Sequence, residues 1–341
     1  MRRSLVFAGI ILGVVLSVAA GSVLHLVLEN SNWEVFPTAP VAGFQESGPA
    51  PENIVEKETK ILFVGDIMLS RAVWDKMLLE EDPLFPFLRI SDFTQQADIV
   101  FGNLEGPISL RGENQGSIYS FRADPSVVLG LVHAGFDVLS LANNHIFDWG
   151  GDALSDTVSI LKENNIKTVG AGRNESEANA PALFEVNGTR VAFLGYTTLY
   201  PETLCARGDD PGVSCFNEAA VLEKIREIKK SSDIAVVSMH WGIEYETLSN
   251  DEQKRLARNF VDAGADLVIG HHPHVPQEVE GYKNSWIAYS LGNFVFDQSF
   301  SEETMRGMVL TAIVRDGRVE SIATTTVFLN GDFQPSLEPE K

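Results

Sequence analysis

The sequence predicts a mixed α/β fold of two packed mixed sheets with helices outside, set behind an apolar N-terminal segment. Three observations predict it. Short continuous apolar runs alternate with longer helical patterns, which is how a sheet buried on both faces reads. Further runs are joined at Asn187-Gly188 and Asp316-Gly317, the dipeptides favoured in tight hairpins. Ahead of all of them lies an uncharged stretch over residues 4–28, interrupted only by the polar His25.

That first stretch follows Arg2 and Arg3 and precedes Glu29 and Glu34. At about 1.5 Å per residue it gives roughly 37 Å of helix, enough to cross a bilayer core of about 30 Å. Positive charge before the span puts the N-terminus in the cytoplasm and the remainder outside. Residues 1–29 are therefore expected to be a single-pass cell-membrane anchor, touching the membrane through residues 4–28, with an extracytoplasmic domain behind it. The rival reading is a cleaved signal peptide ending near Ser17-Val18-Ala19. Residues 30–58 hold Pro37, Pro40, Pro49 and Pro51 among Gly, Ser and Glu without a period, a tether. The folded domain is expected over 59–330 and a frayed tail over 331–341.

Within the domain, the apolar runs 61–64, 99–101, 138–141, 235–238 and 267–269 read as buried strands. Helical patterns fall at 125–134, 151–164, 217–230 and 251–263. The segments 182–186 and 190–195 form a hairpin, as do 308–315 and 318–328, and 277–279 and 285–290 are further strands. Cys205 and Cys215 flank a loop rich in Gly, Asp and Pro; a disulfide closing it suits an oxidising compartment, and two unpaired thiols are the alternative.

The formal net charge of −21 excludes a general nucleic-acid binder, which needs basic surface to displace counterions. It also works against long-range attraction of a polyanion unless metal ions or a local basic patch reverse the field. No GxxxxGK[ST] loop is present, so no ATP site of that type is expected. The absence of CxxC or Cys/His spacing excludes a zinc finger.

Each of the five buried strands ends in a polar cluster. These are Gly65-Asp66, Gly102-Asn103-Leu104-Glu105, Asn143-Asn144-His145 with Asp148, His240-Trp241-Gly242, and Gly270-His271-His272-Pro273-His274. Ligand sites of open α/β sheets form beyond the carboxyl ends of the strands. Taken singly, an Asp after a strand is more often a turn or cap residue, and a lone His more often structural. Five clusters at five strand ends, holding five of the seven histidines, point instead to one shared site. Carboxylates, imidazoles and an amide oxygen together suit one or two divalent ions of Mn, Fe or Zn. Two such ions bridged by a carboxylate are able to clamp a phosphoryl oxygen and activate water.

These motifs resemble those of the calcineurin-like metallophosphoesterases and 5′-nucleotidases. The resemblance is closer to the CapA family of poly-γ-glutamate capsule synthesis proteins. It is carried by Gly65-Asp66-Ile67-Met68, Asn103-Leu104-Glu105, Asn143-Asn144-His145, His240-Trp241-Gly242, Gly270-His271-His272-Pro273-His274 and Ser290-Leu291-Gly292-Asn293-Phe294, in that order. It implies a metallophosphatase-like α/β/β/α sandwich. It also implies Asp66 and His274 on one ion, Glu105 as the bridge, and Asn144, His240 and His272 on the second. His145 would be the general acid with Asp148 orienting it, while Asn103, Asn143, His271 and Asn293 would support the site or meet substrate. One departure stands out. The phosphatases carry Asp-x-His where this chain has Asp66-Ile67-Met68, and a thioether is a poor ligand for hard ions.

The resemblance implies a component of capsule-polymer assembly working beside other membrane-bound synthesis proteins, with an anionic polymer or a phosphate ester as ligand. A free-standing extracytoplasmic phosphoesterase and a polymer-binding module with a degenerate metal site are the alternatives.

Overall fold

A computed structural model describes residues 58–337; the expected anchor and most of the tether lie outside the described residues. Among the described residues no helix is long and apolar enough to cross a membrane.

Strands run at Thr59–Ile67 (β1), Ile99–Leu104 (β2), Val138–Ser140 (β3), Lys167–Val169 (β4), Ala171–Gly172 (β5), Ala182–Val186 (β6), Thr189–Thr197 (β7), Gly212–Val213 (β8), Ile234–His240 (β9), Leu267–His271 (β10), Val279–Tyr282 (β11), Ser285–Ala288 (β12), Asn293–Val295 (β13), Arg306–Arg315 (β14), Arg318–Leu329 (β15) and Pro335–Ser336 (β16). One sheet has the order β16-β15-β14-β1-β2-β3-β4, with β13 also on β1; the other has the order β11-β12-β10-β9-β7-β6. In the first, β1 to β4 run parallel and β14 to β16 antiparallel. The second is parallel through β12, β10, β9 and β7, with β11 and β6 antiparallel at its margins. Both sheets are mixed, as the sequence predicts.

The side-chain period of two explains why the sheets stack. Ile61 and Phe63 of β1 join Phe101, Phe193, Val236 and Ile269 in a core between the sheets. Phe101 and Phe193 stack across it with ring centroids 5.6 Å apart. The alternate residues Leu62 and Val64 face outward onto Val73, Leu131 and Leu154, from helices Arg71–Leu79, Val128–His133 and Gly150–Glu163. Likewise Val237 and Met239 of β9 meet Ile225 and Phe260, from helices Glu218–Ile228 and Asp251–Ala263. The result is helix, sheet, sheet, helix.

The chain differs from expectation at its shorter elements. The helix expected over 125–134 opens as a 3₁₀ turn, Pro125–Val127. Helix Arg71–Leu79 and strand β13 were not foreseen. The expected frayed tail is corrected in part, because Pro335–Ser336 pairs antiparallel with the end of β15 and Gln334 Nε2 donates to the Phe85 carbonyl at 2.6 Å. Cys205 and Cys215 are joined in a disulfide with Cα atoms 5.2 Å apart, closing the loop that carries β8.

Candidate functional site

Two motif glycines hold the site backbone in place. A Cβ on Gly65 would lie 1.9 Å from the Gly292 carbonyl oxygen, and one on Gly270 would lie 1.9 Å from that of Tyr289. Only glycine allows these approaches. With them made, Asp66 N donates to Gly292 O at 2.9 Å and β13 locks against the end of β1. Trp241 anchors the end of β9 from behind, its indole donating to Tyr289 O at 3.0 Å. Beyond β10 the backbone of His272 and His274 turns left-handed, with φ of 97° and 59° around Pro273. Non-glycine residues held there cost on the order of 1–3 kcal/mol each and tend to mark functional sites.

The five polar clusters converge. Register places Asp66 beside Asn103 and Asn293, and His271 beside His240. Asn103 Nδ2 donates to Asp66 Oδ1 at 2.8 Å, while His271 Nδ1 lies 3.4 Å from that oxygen and His274 Nδ1 3.3 Å from the other. Glu105 Oε1 faces His274 Nε2 at 3.7 Å and His145 Nε2 at 3.8 Å. Alongside, His240 Nε2 lies 2.7 Å from Asn144 Oδ1, and the His240 and His272 rings are 4.9 Å apart. Asn143 Nδ2 donates to Asn103 Oδ1 at 3.2 Å and to Leu104 O at 2.8 Å, which ties β2 to the loop after β3. Asn293 Oδ1, 3.0 Å from His274 Nδ1, favours a proton on Nδ1 and leaves Nε2 free toward Glu105.

His145 and Asp148 form the pair the sequence suggests. Nδ1 lies 2.8 Å from Asp148 Oδ2, which also accepts from Phe121 N at 2.8 Å. The carboxylate thereby fixes the tautomer and turns Nε2 toward Glu105. Met68 turns elsewhere: it is fully buried among apolar side chains, and its sulfur accepts from Ser70 N at 3.2 Å and Ser70 Oγ at 3.0 Å.

Burial sets the electrostatics. It pushes Glu105 up to about 7 against the pull of His274 and His145. For Asp66, burial works upward too, but the hydrogen bonds and charges of His271 and His274 together outweigh it and hold the carboxyl well below its ordinary range. Burial, with neighbouring His272, holds His240 well below the usual imidazole value; burial and His274 bring His272 to about 3. Burial also acts downward on His274, yet Glu105 and Asp66 raise it to about 9.

The donor set fits a divalent cation. Both oxygens of Glu105, Nε2 of His271 and Nδ1 of His272 are buried without a hydrogen-bond partner, although such groups are normally satisfied. One ligand atom each of Asp66, Glu105 and His274 lie within 4.8 Å of one another, and Glu244, His272 and His274 form a second such set. Glu244 was missed in the sequence, although it stands only four residues beyond His240. Also missed was the wall of the cavity above the cluster. This space of about 170 Å³ is lined by His145, His274 and Glu244 together with Arg71, Tyr119, Phe121, Tyr245, Phe296, Asp297, Gln298 and Phe300. A larger cavity of about 690 Å³, between helix Gly150–Glu163 and β6, holds none of the site residues.

Fold and site together define an α/β/β/α sandwich protein with a buried carboxylate–imidazole cluster at the strand ends of both sheets. The model of the family described as bacterial capsule synthesis protein PGA_cap matches residues 60–298, and the chain belongs to that family. It is similar to the capsule biosynthesis protein CapA of Bacillus anthracis, 37% identical over 261 residues, covering 74% of this chain and 63% of that protein. It is also similar to the PGA biosynthesis protein CapA of Bacillus subtilis (strain 168), 36% identical, covering 75% of this chain and 68% of that one. A probable polyglutamine synthesis accessory protein of Mycobacterium tuberculosis is 34% identical over 68% of this chain and 65% of its own length. The chain thus spans about two thirds of the relatives it matches. Among solved structures, a calcineurin-like phosphoesterase from Bacillus subtilis aligns at 16% identity with a TM-score of 0.45, covering 82% of this chain and 93% of that one. A 5′-nucleotidase precursor from Thermus thermophilus aligns at 14% with a TM-score of 0.49, covering 82% and 56%.

Proposed function

We propose that this chain is a membrane-anchored, extracytoplasmic component of capsule or poly-γ-glutamate-type polymer biosynthesis, with a divalent metal centre at its strand ends that acts on a phosphate ester. Membership of the capsule synthesis family supports the biosynthetic role. The charged and apolar pattern of residues 2–34 supports the anchor and its orientation. The observation that carries the metal centre is Glu105, 1% exposed, with neither carboxylate oxygen hydrogen-bonded, beside Asp66 and His274.

In this reading Asp66, Glu105 and His274 would hold one ion of Mn, Fe or Zn, with His271, 3.4 Å from Asp66, a further imidazole beside that set. Asn144, His240 and His272 would hold the second, with Glu105 as the carboxylate the two would share. Bound there, the ions would supply charge to a phosphoryl oxygen and lower the pKa of water. The chain's own part is proton transfer and orientation. His145, fixed through Nδ1 by Asp148, would in its doubly protonated form give the Nε2 proton to a leaving oxygen. Asn103 and Asn143 hold the ends of β2 and β3 in register.

The test is complementation of an encapsulated strain lacking this protein. The wild-type chain is expected to restore surface polymer and, purified without chelator, to carry near-stoichiometric metal. His240→Ala is expected to lose both. Full rescue by a metal-free His240→Ala chain would reduce the cluster to scaffold and favour a polymer-binding role. Rescue by a cytoplasmic copy lacking residues 1–58 would remove the anchor from the reading.

A further inference from the structure

The cavity wall contains a charged group to which the metal reading assigns no task. Arg71 opens helix Arg71–Leu79 with φ of 54°, a left-handed backbone that a side chain rarely adopts. Its Nη2 lies 2.9 Å from Asp297 Oδ1 and its Nε donates to Oδ2 at 3.0 Å. The Asp297 side chain is only 4% exposed against 38% for Arg71, so the pair presents the guanidinium and hides the carboxylate. The guanidinium carbon sits 5.2 Å from the Phe121 ring centre and 5.9 Å from that of Tyr119. Phe121 in turn lies 4.1 Å from the His145 ring, so one aromatic ring separates Arg71 from the proposed proton donor. The aromatic lining continues beyond Phe121: Phe296 packs edge-on against it at 5.8 Å and lies 4.8 Å from the His274 ring, and Tyr245 packs edge-on against the exposed Phe300 at 5.1 Å.

We propose that this wall is a subsite for a carboxylate carried on a short aliphatic stem, belonging to the ligand whose other end meets the carboxylate–imidazole cluster. The proposal rests on the cluster being a ligand-binding metal centre. Asp297 meets the guanidinium at Nε and Nη2 and Arg71 lines the cavity, so the subsite would use the remaining Nη1 edge. A planar carboxylate takes directed, charge-assisted hydrogen bonds from such an edge. Asp297 also cancels most of the guanidinium charge at a distance, and Glu244 adds a negative charge on the same cavity. That balance opposes a dianionic phosphoryl group at the wall more than a monoanion, which directed hydrogen bonds would have to hold. The rings of Tyr119, Phe121, Tyr245 and Phe296 suit the methylenes between the two ends, and a cavity of about 170 Å³ limits the stem to a few carbons. Asp297 acts here as a positioning residue, reaching the ligand only through Arg71.

The experiment compares 3-phosphonopropanoate with propylphosphonate, two ligands differing in the terminal carboxylate, by calorimetric titration of the full-length Mn-loaded protein. Wild type is expected to bind the carboxylated ligand about tenfold more tightly or better, the scale of one hydrogen bond to a charged group. Arg71→Gly, which removes the guanidinium and suits the left-handed backbone, is expected to bring the two ligands within about twofold of each other in protein that circular dichroism shows to be folded. Arg71→Lys retains charge without the fork and is expected to recover only part of the difference. Equal binding of both ligands by the wild type overturns the subsite and leaves the metal centre standing. Discrimination that persists in Arg71→Gly also overturns it. Failure of both ligands to bind the metal-loaded wild type overturns the parent reading and the subsite with it.

Discussion

The two sheets contribute opposite chemistry to the same site. From the first come oxygen groups: Asp66 on β1, Asn103 and Glu105 at the end of β2, and Asn143 and Asn144 after β3, with His145 the one imidazole. The second sends His240 from β9 and His271, His272 and His274 from the end of β10, and no carboxylate except Glu244 in the loop after β9. Glu244, His272 and His274 come from the second edge alone, whereas the set of Asp66, Glu105 and His274 draws on both. The set exists because the Phe63, Phe101 and Phe193 core holds the sheets face to face. Packing and metal affinity are therefore linked: what binds across the two edges also ties the sheets together.

The largest expected effect follows from removing the carboxylate on which the imidazole edge leans. Asp66 is fully buried, lies 3.4 Å and 3.3 Å from ring nitrogens of His271 and His274, and accepts from His272 N at 3.2 Å. Asp66→Ala strands those groups, and breaking one partner of a buried charged set costs about 3–5 kcal/mol. Urea unfolding of the metal-free protein is expected to show a loss of that size, with metal content falling to background. A loss below about 1 kcal/mol would break the comparison, because the two edges would then be independent.

A smaller effect is expected at Met68, a motif position that departs from the phosphatase pattern. Met68 lies in the core outside the first sheet, with its sulfur engaged by Ser70 rather than aimed at the cluster. Met68→His places an imidazole among apolar neighbours, and a cost of about 1–3 kcal/mol is expected in the same assay with no gain in bound metal. A rise in metal stoichiometry would show that the first edge is able to supply its own imidazole, and the division between the sheets would blur.

Much of this was legible because strand ends carry their chemistry in consecutive residues. Gly65-Asp66, Asn143-Asn144-His145 and Gly270-His271-His272-Pro273-His274 each join a buried apolar run to ligand-type residues, so run and cluster identify each other. The two outer hairpins were legible from Asn187-Gly188 and Asp316-Gly317, where both Asn187 and Asp316 take positive φ. What stayed hidden is set by long-range packing. Strand β13 has three residues, too few for a period, and sits on β1 only because Gly65 lets Gly292 approach. The cavity wall draws Arg71, Phe121, Tyr245 and Phe296 from four separate segments, none with a local pattern that marks it. Pro335–Ser336 sits in a polar stretch that reads as tail, and only its pairing with β15 orders it.

The smallest effect has the opposite sign, which makes it the sharpest test of the metal reading. Glu105, raised by burial to about 7, and His274, raised by its carboxylate neighbours to about 9, bind protons more tightly folded than unfolded. A group raised in this way stabilises the fold fully below its unfolded value and loses that contribution as pH rises through the folded one. Metal-free wild type is therefore expected to lose stability between about pH 6.5 and pH 9, above the range in which Asp66, His240 and His272, all lowered, make their own contributions vary. Glu105→Gln removes the carboxylate whose ionisation the cavity resists, so at pH 8.5 the metal-free variant is expected to be about 1 kcal/mol more stable than wild type. At pH 4, below the ordinary value of 4.5 for Glu105, the group is protonated in both folded and unfolded chains and the two proteins are expected to lie close together. Saturating Mn reverses the order: wild type gains about 2.7 kcal/mol at a hundredfold excess over Kd, while the variant, lacking the central carboxylate, gains little. Thermal scans with and without metal at both pH values check all four states. A metal-free Glu105→Gln protein less stable than wild type at pH 8.5 would mean that the carboxylate is satisfied within the fold, and the strongest reason for placing a cation beside it would be gone.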